Sequence, residues 1–404
     1  MFELIKLEWI KLCRKRLTIA VTFFCVFATS IIFSLPFLQY QIWDANGTML
    51  TRGEAVSYRK TIYDEILNGS LTEERITDAM REYKDKYSDA ANLMTQRGGE
   101  TSFTDEVYYR YFAPRQSYLN MIGNAYSNNE YGAANILSVN LENGAEFYET
   151  RQETIAERIK NNEDLSDDEK TYWREKSLSL AFPFAYGYAL GWASFGETAD
   201  MLIICIVGIC IVLAPIFAGE YQSGADAVIL STRYGKNKII SAKIFVAFLF
   251  GTIVFAVNAV IALLLPLLTF GAEGGELPVQ IAYISSPYNL TFAQADLLII
   301  LIAYIVLVGL IAITLLFSAK MKSAFAVLIL DVLIIFIPMF FSLSKTNAWL
   351  PAMATSGLSR YSYFISYRLG HFIVDIFCMI VIAYAIITVL SLAFARMLFR
   401  KHQV

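Results

Sequence analysis

Residues 297–318 read LLIILIAYIVLVGLIAITLLFS, an uncharged run in which only Tyr304, Thr314 and Ser318 carry polar side-chain atoms. An α-helix rises about 1.5 Å per residue, so about 20 apolar residues cross the roughly 30 Å hydrocarbon core of a bilayer. The composition of the whole chain agrees, since 56% of its 404 residues are hydrophobic and only 17% are charged. Soluble domains do not have these proportions. The sequence therefore predicts a membrane protein.

Five other segments have the same character, so we predict six transmembrane helices. Their ranges are 17–39, 200–218, 244–268, 297–318, 324–343 and 372–395. Fourteen Lys and Arg residues flank one predicted side of the membrane, and only Lys345, Arg360 and Arg368 lie in the short loops opposite. Cytoplasmic flanks carry the excess of Lys and Arg, which predicts that both termini are cytoplasmic. We expect a multi-pass protein of the cell membrane.

The 40–199 segment lies between the first two predicted spans and is as long as a domain. Its first 141 residues, 40–180, hold 16 basic and 25 acidic residues, a net charge of −9, and long loops cross membranes regardless of charge. Capping signals and apolar spacing predict helices at 53–67, 72–94 and 146–160. The segment has no cysteine, which favours a bacterial plasma membrane. The predicted fold class is an all-α polytopic membrane protein with six transmembrane helices and a large, mainly helical extracytoplasmic domain.

Three further features complete the predicted organisation. Residues 1–16 are predicted as a cytoplasmic amphipathic interface helix, with a simple basic flank as the alternative. Residues 344–371 are aromatic and weakly charged, which indicates a re-entrant or interfacial segment on the outer side. Twelve tyrosines between Tyr58 and Tyr172 are either core residues of the 40–199 segment or faces that bind a cationic peptide or a sugar.

The connection between the second and third predicted spans is longer than two helices need. It reads FAGEYQSGADAVILSTRYGKNKIISAK over residues 217–243. Helices are commonly joined by a few residues, whereas this connection has a helix-like run, a polar break and a basic lead into the next span. We therefore expect 219–243 to be a cytoplasmic loop that binds a partner.

This pattern resembles the cytoplasmic loop of ABC type-2 transporter permeases, the membrane subunits of the type V exporter fold. The resemblance rests on Phe217-Ala-Gly-Glu220, Gly224, Leu230-Ser-Thr232 and the basic stretch from Lys238 to Lys243, together with the six-span plan. It implies a coupling helix in the 219–243 loop that docks on a separate ATPase. The coupling residues that it implies are Glu220, Tyr221, Gly224 and Asp226.

No segment of the chain supplies the GxxxxGK[ST] loop that ATP hydrolysis requires. The chain also has only two histidines, His371 and His402, which disfavours metal and His-based catalysis. We predict no enzymatic activity and no cofactor in this chain, with ATP and Mg on the partner ATPase. The other predicted partners are the lipid bilayer and a second permease, identical or homologous, in a dimer; no nucleic acid is expected.

Carboxylates inside predicted spans are costly, about 3 kcal/mol on insertion scales, and so are candidates for function. Asp331 lies about seven residues into the fifth span. It either faces a transport pathway or dimer interface or is a hydrogen-bonded structural carboxyl. Asp296 and Asp375 lie near outer helix ends, where we expect water or headgroups to solvate them.

Two functions from different classes fit these observations. The first is a permease subunit of an ATP-binding cassette transporter that exports a peptide, drug-like or lipid-like substrate. The second is a membrane receptor or sensor, in which the 40–199 segment binds ligand and the 219–243 loop recruits a signalling partner.

Overall fold

The structure is a computed structural model that describes residues 1–95, 101–127, 131–225 and 235–401. Within these ranges the chain is mostly helical. The α-helices are α1 (Phe2–Cys13), α2 (Arg16–Leu38), α3 (Arg52–Ile62), α4 (Glu73–Ser88), α5 (Asp105–Val107), α6 (Ala113–Gly123), α7 (Phe147–Lys160), α8 (Asp167–Leu178), α9 (Leu190–Thr198), α10 (Leu202–Leu213), α11 (Pro215–Ser223), α12 (Ile240–Phe270), α13 (Phe292–Lys320), α14 (Ala324–Phe336), α15 (Pro351–Ala354) and α16 (Ile376–Lys401). Turns of 3-10 helix cover Ala90–Asn92, Gly132–Ser138, Ala199–Met201, Val279–Ile281, Ile337–Phe340 and Leu358–Ser362, and π-helical turns cover Tyr63–Leu67, Tyr108–Phe112 and Gly235–Ile239.

Short strands correct the prediction of an all-α fold. In the part of the chain that the structure describes, they form four antiparallel pairs: Gln41–Trp43 with Met49–Thr51, Gly69–Ser70 with Ala185–Tyr186, Leu93–Thr95 with Thr101–Phe103, and Ser366–Leu369 with Phe372–Asp375. Strands of two to four residues are too short for an alternating apolar pattern to stand out in sequence. The class that remains is a mainly helical polytopic membrane protein.

Five helical stretches in the described ranges are long and apolar enough to cross a membrane. They are Arg16–Leu38, Leu190–Ser223, Asn237–Phe270, Phe292–Lys320 and Ile376–Arg400. The predicted span 324–343 contains a shorter apolar helix, Ala324–Phe340, whose last turn is 3-10 and contains Pro338. By helical rise this helix is about 27 Å long, just below the roughly 30 Å of a bilayer core. The sixth span therefore stays a prediction.

The last membrane helix begins later than the sequence predicts. Residues 372–375 pair with Ser366–Leu369 as a hairpin, so α16 starts at Ile376 rather than at 372. The Oδ1 atom of Asp375 accepts a hydrogen bond from the N–H of Cys378 at 3.1 Å. A carboxylate that accepts from the third residue of a helix is an N-cap, which fixes where the helix begins.

The two largest hydrophobic clusters among the described residues lie in different parts of the protein. The larger lies among the membrane helices and includes buried residues of α2, α10, α12, α13 and α16. The second lies inside the 40–199 segment and buries Tyr83, Tyr111 and Tyr118 beside aliphatic residues of α4 and α6. These three tyrosines are thus core residues, one of the two roles that the sequence allows.

Helices α7 and α8 tie the 40–199 segment to the loops that join the membrane helices. Arg151 is 1% exposed and donates to the carbonyl oxygens of Ile284 (2.6 Å) and Ser286 (2.9 Å). Trp173 is fully buried, and its Nε1 donates to Ser366 Oγ at 3.1 Å. The segment is therefore packed on the ends of the membrane helices rather than carried on a free linker.

Candidate functional site

The second membrane stretch ends in α11, whose last residues, 219–223, begin the connection that the sequence singles out. Gly224 caps α11 with φ +70°, a left-handed conformation that glycine adopts without the steric cost of a Cβ. No atom lies within 4 Å of the position that a Cβ would occupy there. Gly224 thus lies at an open turn. Of the predicted coupling residues, Glu220, Tyr221 and Gly224 are in the described part of the chain, and Asp226 lies outside it.

Glu220 is the centre of a partly buried charged group that we call the Glu220 cluster, consisting of Glu8, Lys11, Glu220 and Lys243. Glu220 Oε1 accepts from Lys243 Nζ at 2.7 Å and from Lys11 Nζ at 2.5 Å. Lys243 Nζ also lies 2.9 Å from Glu8 Oε2. The side chains of Glu220 and Lys243 are only 6% and 3% exposed. The cluster therefore joins α1, α11 and α12, and its Glu220–Lys243 pair is largely removed from water.

A fifth charge borders the cluster. Lys15, together with Glu8, Lys11, Glu220 and Lys243, lines a gap of about 20 Å³. Burial is the main cause that lowers the pKa of Lys15, and the like charges of Lys11 and Lys243 add to it. Positive charge is thus concentrated around the two carboxylates.

The start of α11 is held by a hydroxyl from another membrane helix. Pro215 interrupts the second membrane stretch, and the first N–H groups of the helix that follows have no partner within it. Ser318 Oγ of α13 accepts from the N–H groups of Phe217 and Ala218, both at 3.0 Å. The same hydroxyl donates to the carbonyl of Ala214 at 2.6 Å. Ser318 therefore replaces the backbone hydrogen bonds that the proline break removes.

The end of α11 is attached to α13 and α16 through Tyr221. Its hydroxyl donates to the carbonyl of Ala319 at 2.9 Å. The rings of Phe217 and Tyr221 lie 4.7 Å and 5.7 Å from the ring of Phe399 near the end of α16. Tyr221 points into the helix bundle, so its side chain holds α11 in place.

Asp331 lies in the interior between α13 and α14. Its side chain is 1% exposed, and its Oδ2 accepts from Thr314 Oγ1 at 2.9 Å. Its Oδ1 has no hydrogen-bond partner among the described residues. This environment favours a structural carboxyl over one that faces an open pathway within this chain. Its role at an interface with a second chain remains a prediction.

Asp331 and α11 are connected through α13 and α14. Thr314 precedes Ser318 by one helical turn, and Val327 precedes Asp331 by one turn. Val327 packs in a small buried cluster with Ala214 and Ala218. A displacement of α11 therefore acts directly on the helix that carries Asp331.

The structure differs from the expectation for Asp296. That carboxyl is completely buried, and neither of its oxygens has a partner among the described residues. The expectation that water solvates it is wrong, because the start of α13 is covered by Gly196 of α9 and by Leu358. Asp375 is paired instead with Lys176 at 2.9 Å.

The partners of Glu220 are the feature that sequence reasoning missed. It assigns Lys11 and Lys243 to the basic flanks of the spans, and it gives Glu8 no role. A signal was present, since Glu8 and Lys11 are three residues apart on a helix and so share a face. Among the described residues, no group of three or more His, Cys, Asp and Glu side chains could hold a metal ion.

One comparison with known proteins found a match. A family model described as ABC-2 family transporter protein matches residues 2–401. No curated protein and no solved structure matches the chain.

Proposed function

The chain belongs to the ABC-2 family of transporter proteins, and from this premise we propose that it is the permease subunit of an ATP-binding cassette exporter driven by a separate cytoplasmic ATPase. The observation that carries the proposal is the Glu220 cluster, which fixes α11 to α1 and to the membrane helix α12 at the point where the 219–243 connection begins. An external force on this connection therefore moves several membrane helices together.

The proposed docking element is the 219–243 loop, with Glu220, Tyr221, Gly224 and Asp226 at or beside the contact. Gly224 has open surroundings, since no atom lies within 4 Å of the position that a Cβ would occupy. Glu220 and Tyr221 act differently, because their side chains point into the bundle. We assign Gly224 and Asp226 to the contact with the ATPase, and Glu220 and Tyr221 to the transmission of its movement.

The proposed cycle needs two permease chains, identical or homologous, and two ATPase subunits. Closure of the ATPase pair on ATP pushes on both 219–243 loops. The Glu220 cluster passes this movement to α1 and α12, and Ser318 and Tyr221 pass it to α13. The membrane helices then rock and release a peptide, drug-like or lipid-like substrate on the side of the 40–199 segment. ATP and Mg act on the partner subunit, in a plasma membrane with both permease termini in the cytoplasm.

A copurification experiment tests this function with a matched pair of variants. Gly224 and Gly370 both have positive φ, and neither has an atom within 4 Å of its Cβ position. They lie at opposite predicted sides of the membrane. We expect the wild-type chain and Gly370→Trp, solubilised from the native host, to retain a nucleotide-binding subunit in stoichiometric amount. Gly224→Trp should lose it.

The other outcomes separate the competing functions. Loss of the ATPase from both variants would mean a general folding defect and would remove the support for docking at Gly224. Copurification of a kinase or another regulator, with no nucleotide-binding transporter subunit, would favour the receptor or sensor and contradict the permease.

A further inference from the structure

A cavity of about 440 Å³ lies where the 40–199 segment meets the ends of three membrane helices. Tyr40 follows α2, Leu190 and Ala193 belong to the start of α9, and Phe292 begins α13. Ligand-binding clefts commonly have volumes of about 300–1,000 Å³ and lie between structural units. The position and size of this cavity therefore suit a small ligand at the boundary of the membrane.

The walls of the cavity are aromatic and preorganised. The seven aromatic residues among the described lining residues are Tyr40, Trp43, Tyr63, Tyr108, Tyr186, Tyr188 and Phe292. The ring of Tyr63 stacks on that of Tyr186 at 5.8 Å and meets that of Tyr188 edge-on at 5.5 Å. Contacts of this kind fix the rings, so a ligand with an apolar body meets a surface that is already formed.

Arg59 is the one charged side chain among the described lining residues. Its guanidinium donates to the carbonyl of Pro114 (3.3 Å) and to Ser117 Oγ (3.0 Å), and it lies 5.3 Å from the centre of the Tyr63 ring. A guanidinium has five N–H donors, and these hydrogen bonds use two of them. Arg59 is thus oriented by the protein while it keeps donors for a ligand.

The neighbouring cavity has the opposite charge. Its volume is about 360 Å³, and its charged lining residues are Lys60, Asp64, Glu273 and Glu276. Lys60 is already paired with Glu273 at 2.8 Å. Tyr186 and Tyr188 line both cavities and separate them. A cationic group is therefore attracted to the acidic cavity, and an anionic group to the one that contains Arg59.

We propose that the Arg59 cavity binds an anionic amphiphile, with its apolar body against the aromatic walls and its phosphate or carboxylate group on Arg59. Arginine matches the planar, two-oxygen face of these groups better than lysine does. The identification of this ligand as cargo rests on the proposed function. Its binding does not, because the cavity is formed by this chain alone.

The test uses the full chain in phosphatidylcholine nanodiscs without any ATPase. A failure to bind the probe is therefore distinct from a failure of the chain to copurify with its ATPase. The probe is radiolabelled dodecyl phosphate, with binding measured above that of empty nanodiscs. Inorganic phosphate, dodecanol and dodecyltrimethylammonium are the competitors. Unlabelled dodecyl phosphate should displace the probe, and the three competitors should not at equal concentration.

Three variants locate the binding. Arg59→Gln removes the charge and should weaken binding about tenfold, as the loss of a charged hydrogen bond does. Ala193→Phe fills the cavity without altering its charge and should weaken binding to a similar extent. Lys60→Gln is the matched control, since it removes the adjacent cation of the acidic cavity, and it should bind as the wild type does.

Each alternative result overturns the proposal. Displacement by inorganic phosphate would indicate a simple anion site, displacement by dodecanol would show that the charged group is not recognised, and displacement by the cationic amphiphile would reverse the charge argument. Unchanged binding in Ala193→Phe would place the probe elsewhere. If Arg59→Gln has a lowered melting temperature, its weaker binding is no evidence for recognition by Arg59. The Ala193→Phe result then decides whether the probe binds in this cavity.

Discussion

Lys243 is the residue on which the Glu220 cluster depends, because it contacts both carboxylates. Its ammonium group lies 2.7 Å from Glu220 and 2.9 Å from Glu8, and its side chain is 3% exposed. Removal of one partner of a buried ion pair leaves an uncompensated charge and costs about 3–5 kcal/mol. We expect Lys243→Met to lower the melting temperature of the purified chain strongly.

A double variant separates charge from packing. Lys243→Met combined with Glu220→Gln removes both charges, and we expect it to be more stable than Lys243→Met alone. Lys11→Met is the matched control, since Lys11 contacts the same oxygen but its side chain is 49% exposed, and exposed pairs contribute about 0–1 kcal/mol. Equal losses in Lys243→Met and Lys11→Met would contradict the role of burial.

The stability contributed by the contact between Glu169 of α8 and Lys345 depends on pH. Burial opposes the ionisation of Glu169, but hydrogen bonds from Lys345 (2.6 Å) and Ser166 outweigh it, so the pKa of this carboxyl lies below its ordinary value. A depressed pKa in the folded state adds stability that is complete above the unfolded pKa of about 4.3 and is lost as the pH falls through the folded pKa.

Melting temperatures of the wild type and Glu169→Gln between pH 7 and pH 3 test this dependence. We expect the wild type to be more stable at pH 7 and the two curves to converge as the pH falls below about 4. Asp168→Asn is the control, because the Asp168–Arg368 pair is largely exposed on both sides. A gap between wild type and Glu169→Gln that stays constant with pH would show that ionisation of Glu169 does not contribute.

At the scale of the element, α11 is a short helix that depends on neighbours for its hydrogen bonds and its position. Ser318→Ala removes the acceptor for the N–H groups of Phe217 and Ala218. A buried polar group without a partner costs about 1–3 kcal/mol. We expect Ser318→Ala to lower the melting temperature and to reduce substrate-stimulated ATP hydrolysis by the complex with its ATPase.

Ser223→Ala is the matched control for this element. Among the described residues, Ser223 Oγ donates to carbonyls of its own helix, those of Gly219 and Glu220, and Ser223 is exposed. Its replacement should therefore leave both stability and stimulated hydrolysis close to the wild-type values. A larger effect of Ser223→Ala than of Ser318→Ala would mean that the contact between α11 and α13 does not transmit movement.

At the scale of the whole molecule, the 40–199 segment and the membrane helices are joined by buried polar contacts. Arg151 is the charged residue among the links described above, and burial lowers its pKa to about 10, so it stays charged at neutral pH. Arg151→Met leaves the carbonyls of Ile284 and Ser286 without this donor. We expect faster hydrogen exchange in residues 279–291 and faster proteolysis of the 40–199 segment.

Arg81→Met serves as the control for Arg151→Met, because Arg81 forms an exposed pair with Asp78 within one helix. Its exchange and proteolysis should match those of the wild type. If Arg151→Met changes exchange only within α7, the 40–199 segment is stabilised mainly by its own core and the link to the membrane helices is secondary.

The sequence by itself determined the membrane character and the approximate positions of the long spans, whereas the coupling role of the region around Glu220 stays a prediction. These properties depend on local composition, because the cost of placing charge in hydrocarbon is set residue by residue along one helix. The break at Pro215 and the turn at Gly224 also follow from single residues. The capping box formed by Ser166 and Glu169 is equally local.

The tertiary structure decided the partners of those residues. Lys11 and Glu220 are 209 residues apart, and no periodicity in sequence predicts that α1, α11 and α12 bring them together. The burial of Asp296, the hairpin before α16 and the cavity around Arg59 likewise arise where distant elements meet. Burial and ion pairing depend on what surrounds a side chain in three dimensions, whereas hydrophobicity and helix capping are already present in the chain itself.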